Sequence, residues 1–361
     1  MKTLLQSLPF ITFLMFFFAA CEKDSDNENL VPDEPQDTIV WEPVNQINPE
    51  VITNLFVDGG ELKVLTKNFY YQLNLNDFSA ESHYVGNFSE SWATVLNDEL
   101  FVKIESSWIF VFNANNPEKY TGIDLHDHLD DFGKFFFPSA WLGNVIAINE
   151  NNVFLTVYRP LLDGVFAAEP RLLLFSAELD AEGNVSVENI ISSSIDEGYV
   201  FGDLSGVYTC GEDFIISLNP YTYKVTSQGE WTRVFDGRIF NFIPWDGKLL
   251  GFGDDDLLIS DDGGESWEPL SYNLPPGYRP WQHKGFVHDN QLLIWDTYTI
   301  SLLDLSGSEG HLKTFCNEGL EPGPGKYIHR IVLTEEYAFV GTGQGLYYKP
   351  LEDFLESKID N

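Results

Sequence analysis

Six side chains able to hold a metal crowd one stretch: Asp124, His126, Asp127, His128, Asp130 and Asp131. Carboxylate oxygens and imidazole nitrogens so closely spaced can bind calcium or a transition metal, although Asp-x-His-Asp-His-x-Asp-Asp matches no established ligand spacing. Asp124, His126, His128 and Asp130 are the candidate ligands and calcium the candidate ion. The competing expectation is a solvated acidic loop and no cofactor, in a chain with 56 acidic residues. A second set joins flat rings to cations: Trp141, Tyr158, Arg159, Tyr278, Arg279, Trp281 and His283. Rings stack on sugar faces and a guanidinium clamps a carboxylate, so this set suits a glycan or a protein partner. Against that stands the expectation that any one ring is packing between neighbouring sheets.

Other chemistries find no footing. The chain has no Ser/His/Asp signature, Cys-x-x-Cys pair or His-Glu-x-x-His helix. Glu321 to Lys326, EPGPGK, is a Pro/Gly turn without the Ser/Thr and spacing of a phosphate loop. Of a glycoside hydrolase or lyase, the hydrolase needs two carboxylates about 5 to 9 Å apart, and 56 acids single out no such pair. An enzyme acting on extracellular polysaccharide therefore ranks behind a non-catalytic binding protein. The formal net charge of −36 repels nucleic-acid phosphates and anionic headgroups, which excludes nucleic acid as a partner.

The elements that must carry these residues repeat. A turn dipeptide followed by a β-rich run occurs seven times: Gly59-Gly60, Asn97-Asp98, Glu150-Asn151, Gly211-Glu212, Asp246-Gly247, Asp289-Asn290 and Glu335-Glu336. The following runs begin at Leu62, Leu100, Val153, Phe214, Leu249, Leu292 and Ala338, about 46 residues apart on average, the period of a propeller blade. Each dipeptide is hairpin chemistry and joins the first two strands of a four-stranded blade. The expected fold is all-β, a seven-bladed β-propeller over residues 38–361, monomeric. The seventh blade lacks a fourth strand of its own, and Thr38 to Val44 is expected to supply it and close the ring. Leu351 to Ile359 has apolar residues at helical spacing, so a short helix is expected there rather than an outer strand.

In the fifth repeat, Ser260, Asp262, Gly264, Ser266 and Trp267 follow the strand Leu257-Leu258-Ile259. Asp262 can fold its carboxylate onto backbone N–H groups, Gly263-Gly264 can take positive φ, and Trp267 can anchor the return. The spacing resembles the Asp-box (bacterial neuraminidase repeat) of sialidase-like propellers. The resemblance implies architecture and makes Asp262 a turn brace away from any active centre. It does not imply a sialidase, whose first substrate-binding arginine sits in a Phe/Tyr-Arg-Ile-Pro motif of the first blade. Here the arginines are 159, 171, 233, 238, 279 and 330, and Arg238-Ile239-Phe240 comes late and lacks the proline.

Loop length points to one face. The connections between second and third strands and between blades hold the long loops: Gly122 to Trp141, Arg159 to Arg171, Ser192 to Gly202, Ser271 to His283 and Cys316 to Lys326. Binding residues gather on such loops.

The N-terminus reads as an address. Met1-Lys2 and the apolar run Leu4 to Phe18 form a signal peptide over residues 1–20, too short for a comfortable membrane span. It ends in Phe18-Ala19-Ala20-Cys21, similar to a bacterial lipobox, which implies fatty acylation (palmitate) of Cys21 and a membrane anchor. Plain secretory cleavage is the alternative. Residues 21–37 form an acidic, solvated tether. An acidic run after the lipidated cysteine is similar to the surface-export signal of Bacteroidetes lipoproteins, so an outer-membrane lipoprotein is expected, facing either the medium or the periplasm. Cys210 and Cys316 are expected to be half-buried free thiols, a disulfide between them being possible in an oxidising compartment.

Overall fold

The structure is a computed structural model. It describes residues 40–86, 94–135, 145–167, 169–195, 204–270, 278–289, 291–304, 311–315, 317–320 and 327–356, and the backbone of 358–360. The signal peptide, Cys21 and the acidic tether lie outside the described residues.

Seven antiparallel sheets follow one another along the chain. Their first, innermost strands are Ile52–Asp58, Thr94–Leu96, Ala147–Ile148, Leu204–Cys210, Asn241–Trp245, Lys284–His288 and Ile328–Leu333. Each pairs with a second strand through the hairpin expected of it, the second strand with a third, and the third with an outer strand. The second strands are apolar on both faces because each is covered on both sides. In Glu61–Thr66 every residue after Glu61 is buried, whereas the outer strand Ala80–Tyr84 has no buried residue. The hairpins form because their residues supply what the turn needs. Asp246 and Gly247 take φ of 51° and 73°. Asn97 Oδ1 accepts from the Glu99 and Leu100 N–H groups, and Asn149 Oδ1 from those of Asn151 and Val153.

The ring closes as expected. Glu42–Pro43 pairs antiparallel with Gly345–Pro350, in the register Glu42 to Tyr348 and Pro43 to Tyr347, and supplies the outer strand of blade 7. The first strand of blade 7 lies against that of blade 1. Gly341 is required at that seam, since a Cβ there would come within 2.6 Å of Ile52 Cγ2.

Two expectations are corrected. Arg159 to Arg171 is not an open loop. The second strand of blade 3 runs on to Leu162, turns through Asp163 and Gly164 at φ of 51° and 78°, and returns as Val165–Phe166. Phe132–Phe135, within the stretch expected as another loop, pairs along the inner edge of this extension with Lys134 opposite Arg159. The β-rich run across 153–162 outlasts one blade width, and backbone left unpaired there would have no other partner.

The C-terminus also departs from expectation. Leu351–Glu356 is the short helix, and it buries Phe354 between Phe315, stacked at 4.5 Å, and Trp41 at 5.5 Å. Lys358–Asp360 then forms an outer strand on His311–Phe315, with Thr314 opposite Ile359. The helix spends its apolar positions in six residues, and the remaining backbone pairs with the open edge of blade 6.

Candidate functional site

Four of the seven expected binding residues come together where the chain crosses from blade 5 to blade 6. Pro280–Gln282 is a single 3-10 turn, favoured by the fixed φ of Pro280 at its first position. Gln282 and His283 N–H donate to the carbonyls of Arg279 and Pro280, both at 3.0 Å. His283 Nδ1 lies 3.0 Å from the Arg279 carbonyl. A carbonyl oxygen only accepts, so the proton sits on Nδ1 and leaves Nε2 as an acceptor. The Tyr278 ring stacks on that imidazole at 4.6 Å. Burial pushes the Tyr278 hydroxyl up and His283 down, so both are neutral near pH 7.

Around this wedge lie the groups that face outward. Arg279 is exposed and Trp281 half-buried. The Trp281 ring is 6.1 Å from Phe240, over which the Arg238 guanidinium sits at 5.0 Å while also pairing with Asp254. Arg238 and Trp281 thus flank one surface over the buried Phe240 ring, with Arg279 exposed beside them in sequence and a buried proline and a hydrogen-bonded turn fixing the backbone. Arg238 and Phe240 were not among the expected binding residues. They stand 41 residues before Arg279 and Trp281, on the entry to blade 5, and no local spacing ties them to the crossing.

Tyr158 does not join this surface. It is fully buried in blade 3, its hydroxyl donating to Asp131 Oδ1 at 2.9 Å and lying 2.7 Å from Ser192 Oγ. Asp131 also pairs with Arg171 at 2.8 Å. Tyr158 is a core ring with a satisfied polar tip, because its strand is covered on both faces. Arg159 is half-buried on the same strand, on blade 3 rather than at the crossing. Trp141 lies outside the described residues.

Within the acidic stretch, Asp124, His126 and Asp131 are engaged structurally. Asp124 accepts from the His126 N–H at 3.1 Å and caps the 3-10 turn Leu125–Asp127. A hydrogen bond from Ser107, then the one from His126, holds its carboxyl below the usual range. The His126 ring meets the Phe132 ring edge-on at 5.2 Å. Among the described residues, no three His, Cys, Asp or Glu side chains converge on a common point.

The Asp262 turn has the geometry its spacing dictates. Asp262 Oδ1 accepts from Ser260 Oγ at 2.8 Å and from the Ser266 N–H at 3.0 Å, and Oδ2 accepts from Ser266 Oγ at 2.6 Å. Ser260 Oγ accepts from the Gly264 N–H at 2.7 Å. The Ser266 bonds, more than any other influence, hold the Asp262 carboxyl down at about 2. Gly263 and Gly264 take φ of 71° and 89°. Trp267, 8% exposed, packs among Ile215, Ile239, Phe242, Leu249 and Leu258. Cys210 is a half-buried free thiol that donates to the Gly263 carbonyl at 3.2 Å, and Cys316 lies outside the described residues.

One surface was missed from the sequence. A groove of about 600 Å³ runs between the outer strands of blades 1 and 2, bordered by His83, Tyr84, Phe110, Glu118 and Tyr120. Tyr84 is 67% and Tyr120 56% exposed. In sequence these residues read only as outer strands, although the single tyrosine in each of ESHY and EKYT was the available signal.

No family model matches the chain, and no curated protein sequence matches it. Solved structures match its fold. A catalytically inactive virginiamycin B lyase from Staphylococcus aureus is 12% identical with a TM-score of 0.53, covering 86% of this chain and 97% of the lyase. The extracellular domain of a putative one-component system from B. thetaiotaomicron is 9% identical with a TM-score of 0.52, covering 86% of this chain and 40% of that one. The WD40 domain of Pan2 from Neurospora crassa is 9% identical with a TM-score of 0.50, covering 86% and 95%. The chain is an all-β, seven-bladed β-propeller. At these identities the likeness is one of fold, and propellers with a shared fold differ in what they do.

Proposed function

We propose that this propeller is a non-catalytic binding protein, held at the outer membrane by a lipid on Cys21, and that it captures a glycan or protein partner on the surface carrying Arg238, Arg279 and Trp281, with the buried Phe240 ring beneath. One observation carries the reading: the Arg238 guanidinium and the Trp281 ring, from separate segments, meet over the buried Phe240 ring, beside a backbone already fixed by the Pro280–Gln282 turn. Preorganised rings and planar cations lose little freedom on binding, which favours recognition. Among the described residues the surface holds no nucleophile–base pair. The Asp262 turn, a brace of the kind sialidase-like propellers carry, serves the fold alone.

The test has two arms. Capture of glycans from an array, and of surface proteins by cross-linking, is compared for wild type, Arg279→Ala and Trp281→Ala. Both variants are expected to lose about tenfold or more in capture while their melting temperatures stay near that of wild type. Unchanged capture in both removes the surface from the proposal. For the anchor, metabolic labelling with a fatty-acid analogue should tag the wild type and not Cys21→Ser. Protease added to whole cells should cut the domain if it faces the medium and spare it if it faces the periplasm.

A further inference from the structure

The register of the blades aligns one tier of residues around the axis. Counting four residues past the one that closes each first hairpin reaches Leu65, Ser217, Phe252, Trp295 and Gly341. Opposite them on the first strands stand Asn54, Gly206, Asn241, Lys284 and Arg330. Blades 5, 6, 7 and 1 are consecutive around the closed ring. Asn241, Lys284, Arg330 and Asn54 therefore form an unbroken arc of polar side chains at one level. Lys284 is the first residue of its strand, so the arc lies at the end of the ring where the first strands begin.

Side-chain direction follows from the glycine in the same tier. A Cβ on Gly206 would point at the Phe240 carbonyl, 2.9 Å away on the entry to the next blade. Equivalent residues share that direction, so Asn241 leaves its strand towards blade 6 and Lys284 towards blade 7. Lys284 accordingly acts on His329 and is acted on by Arg330, both in blade 7. Burial presses the Lys284 ammonium well below its ordinary pKa, and Arg330 adds to the shift by repulsion.

In a chain with 56 acidic and 20 basic residues, a carboxylate beside this ammonium would be the ordinary arrangement. Among the described residues no hydrogen bond or ion pair reaches Lys284 Nζ, and no carboxylate is among the causes of its shift. Asn241 Oδ1 accepts from the Phe242 N–H, while its Nδ2 is buried without an acceptor. Two donors on adjacent blades thus lack an acceptor in the arc that also holds the Arg330 guanidinium. A bound anion would satisfy both donors and relieve the repulsion between the cations.

We infer that Asn241, Lys284 and Arg330 form an anion-binding site at the propeller axis, which takes the carboxylate or sulfate group of a ligand entering from the end where the first strands begin. The Tyr278–His283 segment precedes Lys284 directly, so a ligand on the Arg279–Trp281 surface could extend an acidic group into the site. The axial site does not depend on that surface.

The experiment is isothermal titration of the full mature chain with sodium glucuronate, glucose and sodium sulfate at matched ionic strength. Glucuronate and sulfate are expected to bind saturably and glucose not to bind. Lys284→Met should weaken both anions about tenfold or more, yet melt no lower than wild type because it removes an unpartnered ammonium. Asn241→Leu, the second variant, should weaken them less. Trp281→Ala should leave sulfate binding intact, so failure of the outer surface and failure of the axial site are read separately. Equal binding of glucose and glucuronate, absence of anion binding, or anion binding unchanged in Lys284→Met overturns the inference. Binding of sulfate without glucuronate limits the site to a free inorganic anion and overturns the carboxylate part.

Discussion

The ring of Tyr278 lies flat against the imidazole of His283, their centroids 4.6 Å apart and their planes inclined by 21°. The imidazole is buried as well as stacked, and burial depresses the His283 pKa, so the loop holds this ring in its neutral form. His329, also buried, is pushed down to about 3 by burial and by the Lys284 and Arg330 charges. For both, the unfolded chain takes up the proton first as pH falls. Their contribution is therefore complete above about pH 6.5 and is lost on acidification through the depressed folded value. His329 alone should cost roughly 2 kcal/mol between about pH 6.5 and 5. Urea unfolding at those two pH values should show a smaller loss for His329→Gln than for wild type. Equal losses would mean that His329 is not the acid-sensitive group.

The Asp262 turn and the Trp267 ring brace one hairpin, and their loss should act on stability alone. Trp267→Ala should lower stability by about 3 to 5 kcal/mol, since it empties a packed site among five apolar neighbours. Asp262→Ala should cost about 0.5 to 1.5 kcal/mol, since the turn loses three hydrogen bonds whose exposed Ser266 donors can turn to water. The Asp262 share is present above about pH 3.8, and falls away as pH drops through the folded value of about 2. Denaturant unfolding measures both, and ligand capture at a temperature where the variants remain folded should match wild type. A capture defect in Asp262→Ala would place this turn in the binding surface instead.

These outcomes mark where the sequence was readable. Turn chemistry and burial patterns are local, so Gly59-Gly60 or Asp246-Gly247 could be placed from neighbours alone, and the ring followed from their spacing. The Asp262 brace was legible for the same reason, because all its bonds fall within seven residues. Tyr158 was misplaced because a tyrosine before an arginine looks the same in a loop and in a strand extended by Val165–Phe166. Arg238 with Trp281, and Lys284 with Arg330, depend on contacts between blades. No spacing rule within a blade encodes those, and they form only once the ring is closed.

Closure itself rests on Trp41. Its N–H donates to the Glu318 carbonyl at 2.9 Å, its ring is buried against Phe354, and Val44 N–H donates to Leu346 at 2.9 Å just beyond the paired Glu42–Pro43. Gly319, at φ of 92°, admits the Trp41 backbone so closely that a Cβ would sit 2.5 Å from its carbonyl oxygen. Only two residues of the closing strand pair in the sheet, so the large ring must supply most of the attachment. Trp41→Ala is expected to cost about 3 to 5 kcal/mol, and Gly319→Ala about 1 to 3 kcal/mol from strain at positive φ. Val40→Ala, one residue away and 37% exposed, should change stability by less than about 0.5 kcal/mol. With the latch gone, the edge of Gly345–Pro350 is open to pairing with other chains. Trp41→Ala should therefore also show concentration-dependent association by light scattering below its melting temperature. If Trp41→Ala melts like Val40→Ala and stays monomeric, the N-terminal strand is an ornament on a ring that closes without it.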